Sequence, residues 1–353
     1  MELCVRRCDA IPDVAPAQRE AILRAPIDSA SHARLQADLA ALHAVEVADP
    51  PAPAAAPLRE ARVVAWNAAR GGAPAEAAAM ARAAGADVLL LTELDAGMAR
   101  SAQRHAARDL ALRLGMGFAY AVEFVELGLG TKAERARLPG ARNERGLHGA
   151  AVASARPLER PALARLDAGG DWFDGRRGER RVGGRIAVLA TLRVAGAPVT
   201  LASVHLESHG DPAHRDAQAA ALLAAVDAYA PGAPVLLGGD FNTHSLGVRE
   251  LEDRAALAGA VRADPGRFAR PEPHEPLFAR LAHAGFACAP CNAGGATHFT
   301  GERGANAGGL RLDWFFARGL AVRAPAILPT AREASGAPLS DHEAIALTIG
   351  LPG

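Results

Sequence analysis

Short apolar runs that end on a polar residue recur along this chain and set its expected elements. Arg62 to Trp66 and Asp87 to Leu91 read as strands, with a helical stretch from Glu76 to Ala84 between them. Arg185 to Val194 and Val199 to His205, joined by Ala-Gly-Ala-Pro, read as an antiparallel pair. Gly149 to Pro157 is a further apolar segment, and Ala344 to Ile349 is the last alternation. In Pro234-Val-Leu-Leu-Gly-Gly-Asp-Phe-Asn-Thr-His244 a buried strand gives way to two glycines, expected to turn the backbone and present Asp240 and Asn242 on one side. Strand-helix-strand order mixed with hairpins predicts a mixed α/β class.

Before Arg62 the pattern changes. Ile22, Leu23, Leu35, Leu39 and Leu42 mark the apolar side of helical segments interrupted by Pro26, so residues 1–48 are expected as a helical extension. Residues 49–61, opening Asp49-Pro-Pro-Ala-Pro-Ala-Ala-Ala-Pro57, read as a semi-rigid linker, and 62–353 as the compact domain. Two irregular stretches, 124–148 and 168–184, are long for plain connections and are expected beside a site. Trp172 and Phe173 in the second read as a small satellite core rather than a stacking surface.

Composition narrows the function classes. The 353 residues are half apolar and carry no formal net charge, which argues against a broad polyanion-binding surface and leaves room for a local basic cleft. Lys132 is the single lysine among 39 basic residues, so arginine abundance is a compositional bias rather than a sign of phosphate binding. The cysteine pairs Cys4/Cys8 and Cys288/Cys291 match zinc spacings poorly and read as free thiols. The first residues lack the apolar core of a signal peptide and no run reaches membrane-spanning length, giving a soluble, cytoplasmic expectation.

Five element ends carry polar groups of one chemical kind. Asn67 closes the first strand, Glu93 the second and His205 a third; Asp240 and Asn242 follow the fourth, and Ser340-Asp341-His342 precedes the last. Taken singly, each is an ordinary cap, solvated carboxylate or structural histidine. Together, carboxylates and a carboxamide favour a hard ion such as Mg2+ or Mn2+, while two imidazoles remain for phosphate or proton work. Asp240 with Asn242 can then align an attacking water against a phosphoryl ester.

The ordered set Trp66-Asn67, Leu91-Thr-Glu93, Ser203-Val-His-Leu-Glu-Ser208, Gly238-Gly-Asp-Phe-Asn242, Leu312-Asp-Trp-Phe-Phe316 and Ser340-Asp-His342 resembles the endonuclease/exonuclease/phosphatase superfamily typified by deoxyribonuclease I, over about residues 62–350. The resemblance implies a four-layer α/β sandwich of two packed mixed sheets and a metal-dependent hydrolase. By position, Glu93 resembles the principal metal carboxylate, supported by Asn67 and Asp341. Asp240 and Asn242 resemble the pair that orients water and contacts phosphate. His342 resembles the phosphate-binding histidine, with Asp313 as its partner, and His205 the second histidine of deoxyribonuclease-like and phosphatase-like members. The abasic-site endonuclease branch lacks that histidine.

Weaker candidates complete the reading. Asn143, His148 and Arg185 flank central strands and could reach substrate. Asp211-Pro212 starts a helix that puts Arg215, Gln218 and Leu222 on one face, where Arg215 is expected in a structural ion pair. The expectation is therefore a phosphoesterase using Mg2+ or Mn2+ on a small, lipid-derived or nucleic-acid phosphoester, with a nuclease as the alternative. A catalytically silent scaffold on the same fold is the rival from another class, and the intact set from Asn67 to His342 argues against it.

Overall fold

The computed structural model describes residues 3–52, 57–166, 173, 180–299, 309–331 and 336–353. Its strands are β1 (Arg7–Cys8), β2 (Val45–Ala48), β3 (Ala61–Arg70), β4 (Val88–Ala96), β5 (Gly117–Glu126), β6 (Leu147–Ser154), β7 (Glu159–Arg165), β8 (Arg181–Gly183), β9 (Ile186–Val194), β10 (Ala197–His205), β11 (Val235–Asp240), β12 (Asp313–Arg318), β13 (Ala321–Leu328) and β14 (Ala344–Gly350). One sheet runs β1-β2-β5-β6-β4-β3-β14-β13, with β8 added on the far end of β5; the other runs β12-β11-β10-β9-β7.

Each sheet contains a parallel pair joined by a helix. Helix α3 (Pro74–Ala83) links β3 to β4, and the long α6 (Pro212–Tyr229) links β10 to β11. Between the sheets lie Val63, Ala65, Val88 and Leu90 from one and Val188, Leu201, Leu236 and Phe315 from the other. On the outer faces, residues of opposite parity such as Val64, Leu89 and Leu91 meet the first sheet's helices, and Leu237, Trp314 and Phe316 meet α6 and α9 (Leu277–His283). Helix, sheet, sheet and helix form four layers, as the family resemblance implies. Gly238 belongs to the inter-sheet face. A Cβ there would stand 2.6 Å from the Phe315 ring and 2.8 Å from Leu90, so the glycine lets the sheets approach. The strand continues through both glycines to Asp240; their role is close packing rather than the turn expected from Gly-Gly.

Described residues 3–48 contain two α-helices, α1 (Pro16–Arg24) and α2 (Ser29–Asp38), and also strands β1 and β2. β2 pairs antiparallel with Phe118–Ala121 of β5, and β1 pairs with β2. Ile11, Ile22, Leu39 and Leu42 are buried in the core outside the first sheet. Strands of two and four residues are too short for alternation to reveal, which is why the sequence showed helix alone here. Cys4 pairs with Leu163 of β7, so the same segment touches both sheets. Phe173 is buried against His32 of α2 in that outer core and not in a satellite; Trp172 and residues 53–56 of the linker lie outside the described residues. No helix among the described residues is long and apolar enough to cross a membrane.

Two buried polar anchors hold this arrangement. Glu46 of β2 accepts from the Ile11 amide at 3.0 Å and from Arg108 at 2.6 Å, and lies 3.1 Å from His105 Nε2. On α6, Asp211 caps the helix at the His214 amide (2.8 Å) and Pro212 occupies the first turn. Arg215, Gln218 and Leu222 are all buried on one face. Arg215 pairs with Glu275 at 2.5 Å and donates to the Gly210 carbonyl at 2.7 Å, the structural ion pair expected of it.

Burial would raise the Glu46 carboxyl, but His105, the Ile11 amide and Arg108 bring it down to about 2 from 4.5. Because the folded value is depressed, the stabilisation is full above about pH 4.5 and is lost as pH falls towards about 2. Thermal melts of Glu46→Gln should show a smaller decline between those pH values than wild type does. Arg215→Met should lower unfolding free energy by about 3 to 5 kcal/mol, since it strands a buried Glu275 carboxylate. Urea titration reads this directly, and a loss within error of zero would show that the pair contributes nothing.

Candidate active site

The alternation that buries apolar residues between the sheets continues to the strand ends, where the same face turns polar. Asn67 follows Val63 and Ala65; His205 follows Leu201 and Ser203; Asp240 follows Leu236 and Gly238; Asp313 precedes Phe315. His205 is in register with Asp240, and Asp240 with Asp313, so the three share one rung across β10, β11 and β12. The carboxyl ends of both parallel pairs meet here.

Asp240 is the centre of the group. Its Oδ2 accepts from Asn67 Nδ2 at 3.0 Å and lies 3.7 Å from His342 Nε2 and 3.8 Å from His205 Nε2. Its Oδ1 accepts the Asn242 amide at 2.9 Å. That bond closes a tight Asx turn, in which Asn242 adopts φ +49°, and Asn242 Nδ2 donates to the Leu206 carbonyl at 2.9 Å, tying the end of β11 to that of β10. Each histidine has a carboxylate behind it: His342 Nδ1 is 2.8 Å from Asp313 Oδ2, and His205 Nδ1 is 3.0 Å from Glu123 Oε2. A carboxylate at Nδ1 puts a proton there and turns Nε2 to Asp240.

The backbone at His342 is fixed from several directions. Its carbonyl accepts from Trp66 Nε1 and Thr330 Oγ1, and its amide donates to Ser340 Oγ, which itself donates to the Asn67 carbonyl at 2.8 Å. Burial alone would lower the His342 pKa, but Asp313 and then Asp240 hold its proton and raise it to about 10.

Glu93 stands on the other side of Asn67, whose Nδ2 also lies 3.3 Å from Glu93 Oε1. Its carboxyl is held well below the usual range: burial opposes ionisation, but the Arg70 guanidinium bonded to it and the nearby histidines outweigh that. Glu93, Arg70, Glu134, His298, Phe299 and Asp341 line a cleft of about 530 Å³. Asp341 projects into it half exposed, 3.6 Å from His298 Nε2. Among the described residues, two groups have ligand atoms within 4.8 Å of one another: Asp240, Asp313 and His342, and His298, Asp341 and His342. Of Asn67, Glu93 and Asp341, grouped in the sequence reading, Glu93 and Asp341 line the cleft, with Asp341 beside His298, while Asn67 is buried behind Glu93 and in contact with it.

The three weaker candidates are placed differently from one another. Asn143 uses both ends of its side chain on loop backbone, accepting from Ala99 and donating to Gly128, so it ties loops rather than facing the cleft. Arg185 is buried, bonded to Glu123 at 2.6 Å and Glu207 at 3.1 Å, and lies against the His205 ring; its donors are committed to the wall of the site. His148 is buried on the inter-sheet face of β6 with Nδ1 2.8 Å from Asp95, which Arg100 clamps through two bonds of 2.8 Å. Glu123, Glu207, His298 and Arg70 escaped the sequence reading. A glutamate inside Phe118-Ala-Tyr-Ala-Val-Glu-Phe-Val125 was the available signal for Glu123, because a carboxylate within an apolar strand must be paired.

The sequence profile of the Endonuclease/Exonuclease/phosphatase family matches residues 64–342. No curated protein matches the chain. Among solved structures, an endonuclease/exonuclease/phosphatase from Beutenbergia cavernae DSM 12333 is similar with a TM-score of 0.55 and 21% identity, over 84% of this chain and 72% of that one. The human Nocturnin catalytic domain with bound sulfate anion gives 0.54 and 17%, over 87% and 97%. A functionally unknown conserved protein from Enterococcus faecalis V583 gives 0.52 and 14%, over 82% and 100%. At such identities these three likenesses concern the fold, whereas the profile spans nearly every site residue described above. The chain belongs to the endonuclease/exonuclease/phosphatase family.

Proposed function

We propose that this protein is a divalent-metal-dependent phosphoesterase that cleaves a phosphodiester or phosphomonoester with water as nucleophile. The observation that carries the reading is the convergence of Asn67, His205 and His342 on one oxygen of Asp240. A carboxylate in that position accepts a proton from water, and the imidazoles beside it face the charge that grows on phosphoryl oxygens. Asn242, locked by its turn, orients the same water or a phosphoryl oxygen. Asp313 holds the Nδ1 proton of His342, leaving Nε2 to donate towards the phosphoryl group or the leaving oxygen.

The donor set suits Mg2+ or Mn2+. Glu93 is held ionised and Asp341 adds a second carboxylate on the same cleft, while Asn67, whose Nδ2 bonds both Glu93 and Asp240, supports the metal carboxylate from behind. These residues would hold the ion, which when bound supplies positive charge to a phosphoryl oxygen. Zero net charge and a cleft lined by Glu93, Glu134 and Asp341 favour a small or lipid-derived phosphoester over a long polyanion.

Hydrolysis of bis-p-nitrophenyl phosphate, p-nitrophenyl phosphate, plasmid DNA, RNA and sphingomyelin with Mg2+, Mn2+ or EDTA tests the reading. Turnover of at least one substrate should require metal and fall by about 10²- to 10⁴-fold in both Asp240→Asn and His342→Ala. Turnover that survives EDTA or either substitution overturns it, and absence of all turnover with Mn2+ still bound favours the silent scaffold. Asp313→Asn acts through His342 and should lower kcat about 10- to 100-fold with KM nearly unchanged. A matching rise in KM would instead assign Asp313 to substrate binding.

A further inference from the structure

Arg70 and Glu93 meet at a pair of matched irregularities. The β3–β4 ladder slips between Asn67 and Arg70 on one strand, and the β4–β6 ladder between Leu91 and Leu94. Ala69, Arg70 and Gly71 have φ of +41°, +78° and +66°, and Glu93 has +54°. Left-handed backbone is costly for residues with a Cβ; here it accompanies the bulge that leaves Glu93 without a register partner and returns Arg70 to the ladder opposite Leu94, both side chains lining the cleft. An ion pair that only stabilised the fold would need no such strain. The two side chains are 23% and 25% exposed on the cleft, so an ion or substrate entering it can reach the contact.

A second carboxylate waits beside the first. Glu134, on helix α5 (Lys132–Arg137) of the irregular 124–148 stretch, lies 3.4 Å from Arg70 Nε through Oε1. Its Oε2 accepts the Thr131 amide at 2.6 Å, in a capping box that fixes the side chain at the helix start. Arg70 therefore spans two carboxylates, one on the strand end proposed to hold a divalent ion and one on a loop helix.

We propose that Arg70 is an exchangeable counter-cation for Glu93: divalent metal and guanidinium compete for that carboxylate, and the displaced Arg70, retained by Glu134, turns its remaining donors to a phosphoryl oxygen of the substrate. The inference rests on the metal-dependent reading of the same site. Two like charges cannot share one carboxylate without mutual repulsion, so metal entry disfavours the Arg70–Glu93 contact and favours the Arg70–Glu134 one. The guanidinium fork suits a phosphoryl group in its new place. Arg70 is a substrate-binding residue in this scheme and Glu134 a positioning one. The irregular stretch gains a role, since α5 sets where the arginine rests once metal is bound.

The competition has an unusual sign that a structural role would not produce. Mn2+ binding to the full chain without substrate, followed by calorimetry, should tighten about 5-fold or more in Arg70→Gln, remain near wild type in Arg70→Lys, which keeps the charge, and weaken about 3-fold in Glu134→Gln. With Mn2+ saturating, inorganic phosphate should bind about 10-fold more weakly to Arg70→Gln than to wild type. Unchanged or weaker Mn2+ binding in Arg70→Gln overturns the proposal, as does unchanged affinity in Glu134→Gln, which also decides the matter if Arg70→Gln does not fold. Glu93→Gln separates the two levels. If it binds Mn2+ as tightly as wild type, the metal reading falls and this inference with it; if it loses Mn2+ while Arg70→Gln shows no gain, only the exchange is wrong.

Discussion

The shared rung of His205, Asp240 and Asp313 is the constraint on which the site depends. Three strands from distant parts of the chain must reach it in one register, because a slip of one residue would turn each side chain to the opposite face of its sheet. The apolar rows below the rung specify that register. Leu201, Leu236 and Phe315 are buried between the sheets, and Ala202, Leu237 and Phe316 against the helices, so any slip would misplace two packed layers at once. Core packing thus sets the spacing of the chemistry, and the polar residues need little local stiffness of their own.

Around the rung, charge is balanced in successive shells. Asp313 backs His342, Glu123 backs His205, and Arg185 in turn bridges Glu123 to Glu207. Glu123 is brought down to about 2: burial opposes its ionisation, but His205 and Arg185 prevail. Such chains keep buried groups charged at fixed positions, which is the arrangement that phosphoryl transfer chemistry exploits. Asp95, clamped by Arg100 behind His148, repeats the pattern on the neighbouring strand of the first sheet.

Much of this was legible in the amino-acid order. Apolar runs located the central strands, and the residues that closed them supplied Asn67, Glu93, His205 and Asp240, because a strand's alternation carries directly into its end. The sequence could not place Glu123 or Arg185, whose role comes from partners more than twenty residues distant in the chain or on another strand. Nor could it foresee β1 and β2, which gain their geometry by pairing and not from propensity. Gly238 was read as a turn because close approach of a second sheet leaves no local trace. Asn143 looked equivalent to His148 in one dimension, yet one fastens loops and the other faces the inter-sheet interior.

The contacts of the first residues with both sheets also order events during folding. Cys4 pairs with Leu163, and Val45–Ala48 with Phe118–Ala121, so these residues wait for partners made much later in the chain. Until β5 and β6 exist, Ile11 and Ile22 lack much of the core that buries them, and they remain sticky surface on a growing chain. Contacts so distant in sequence slow closure and lengthen that exposure. The segment read as an appendage is in this sense a clasp that closes only on strands made later.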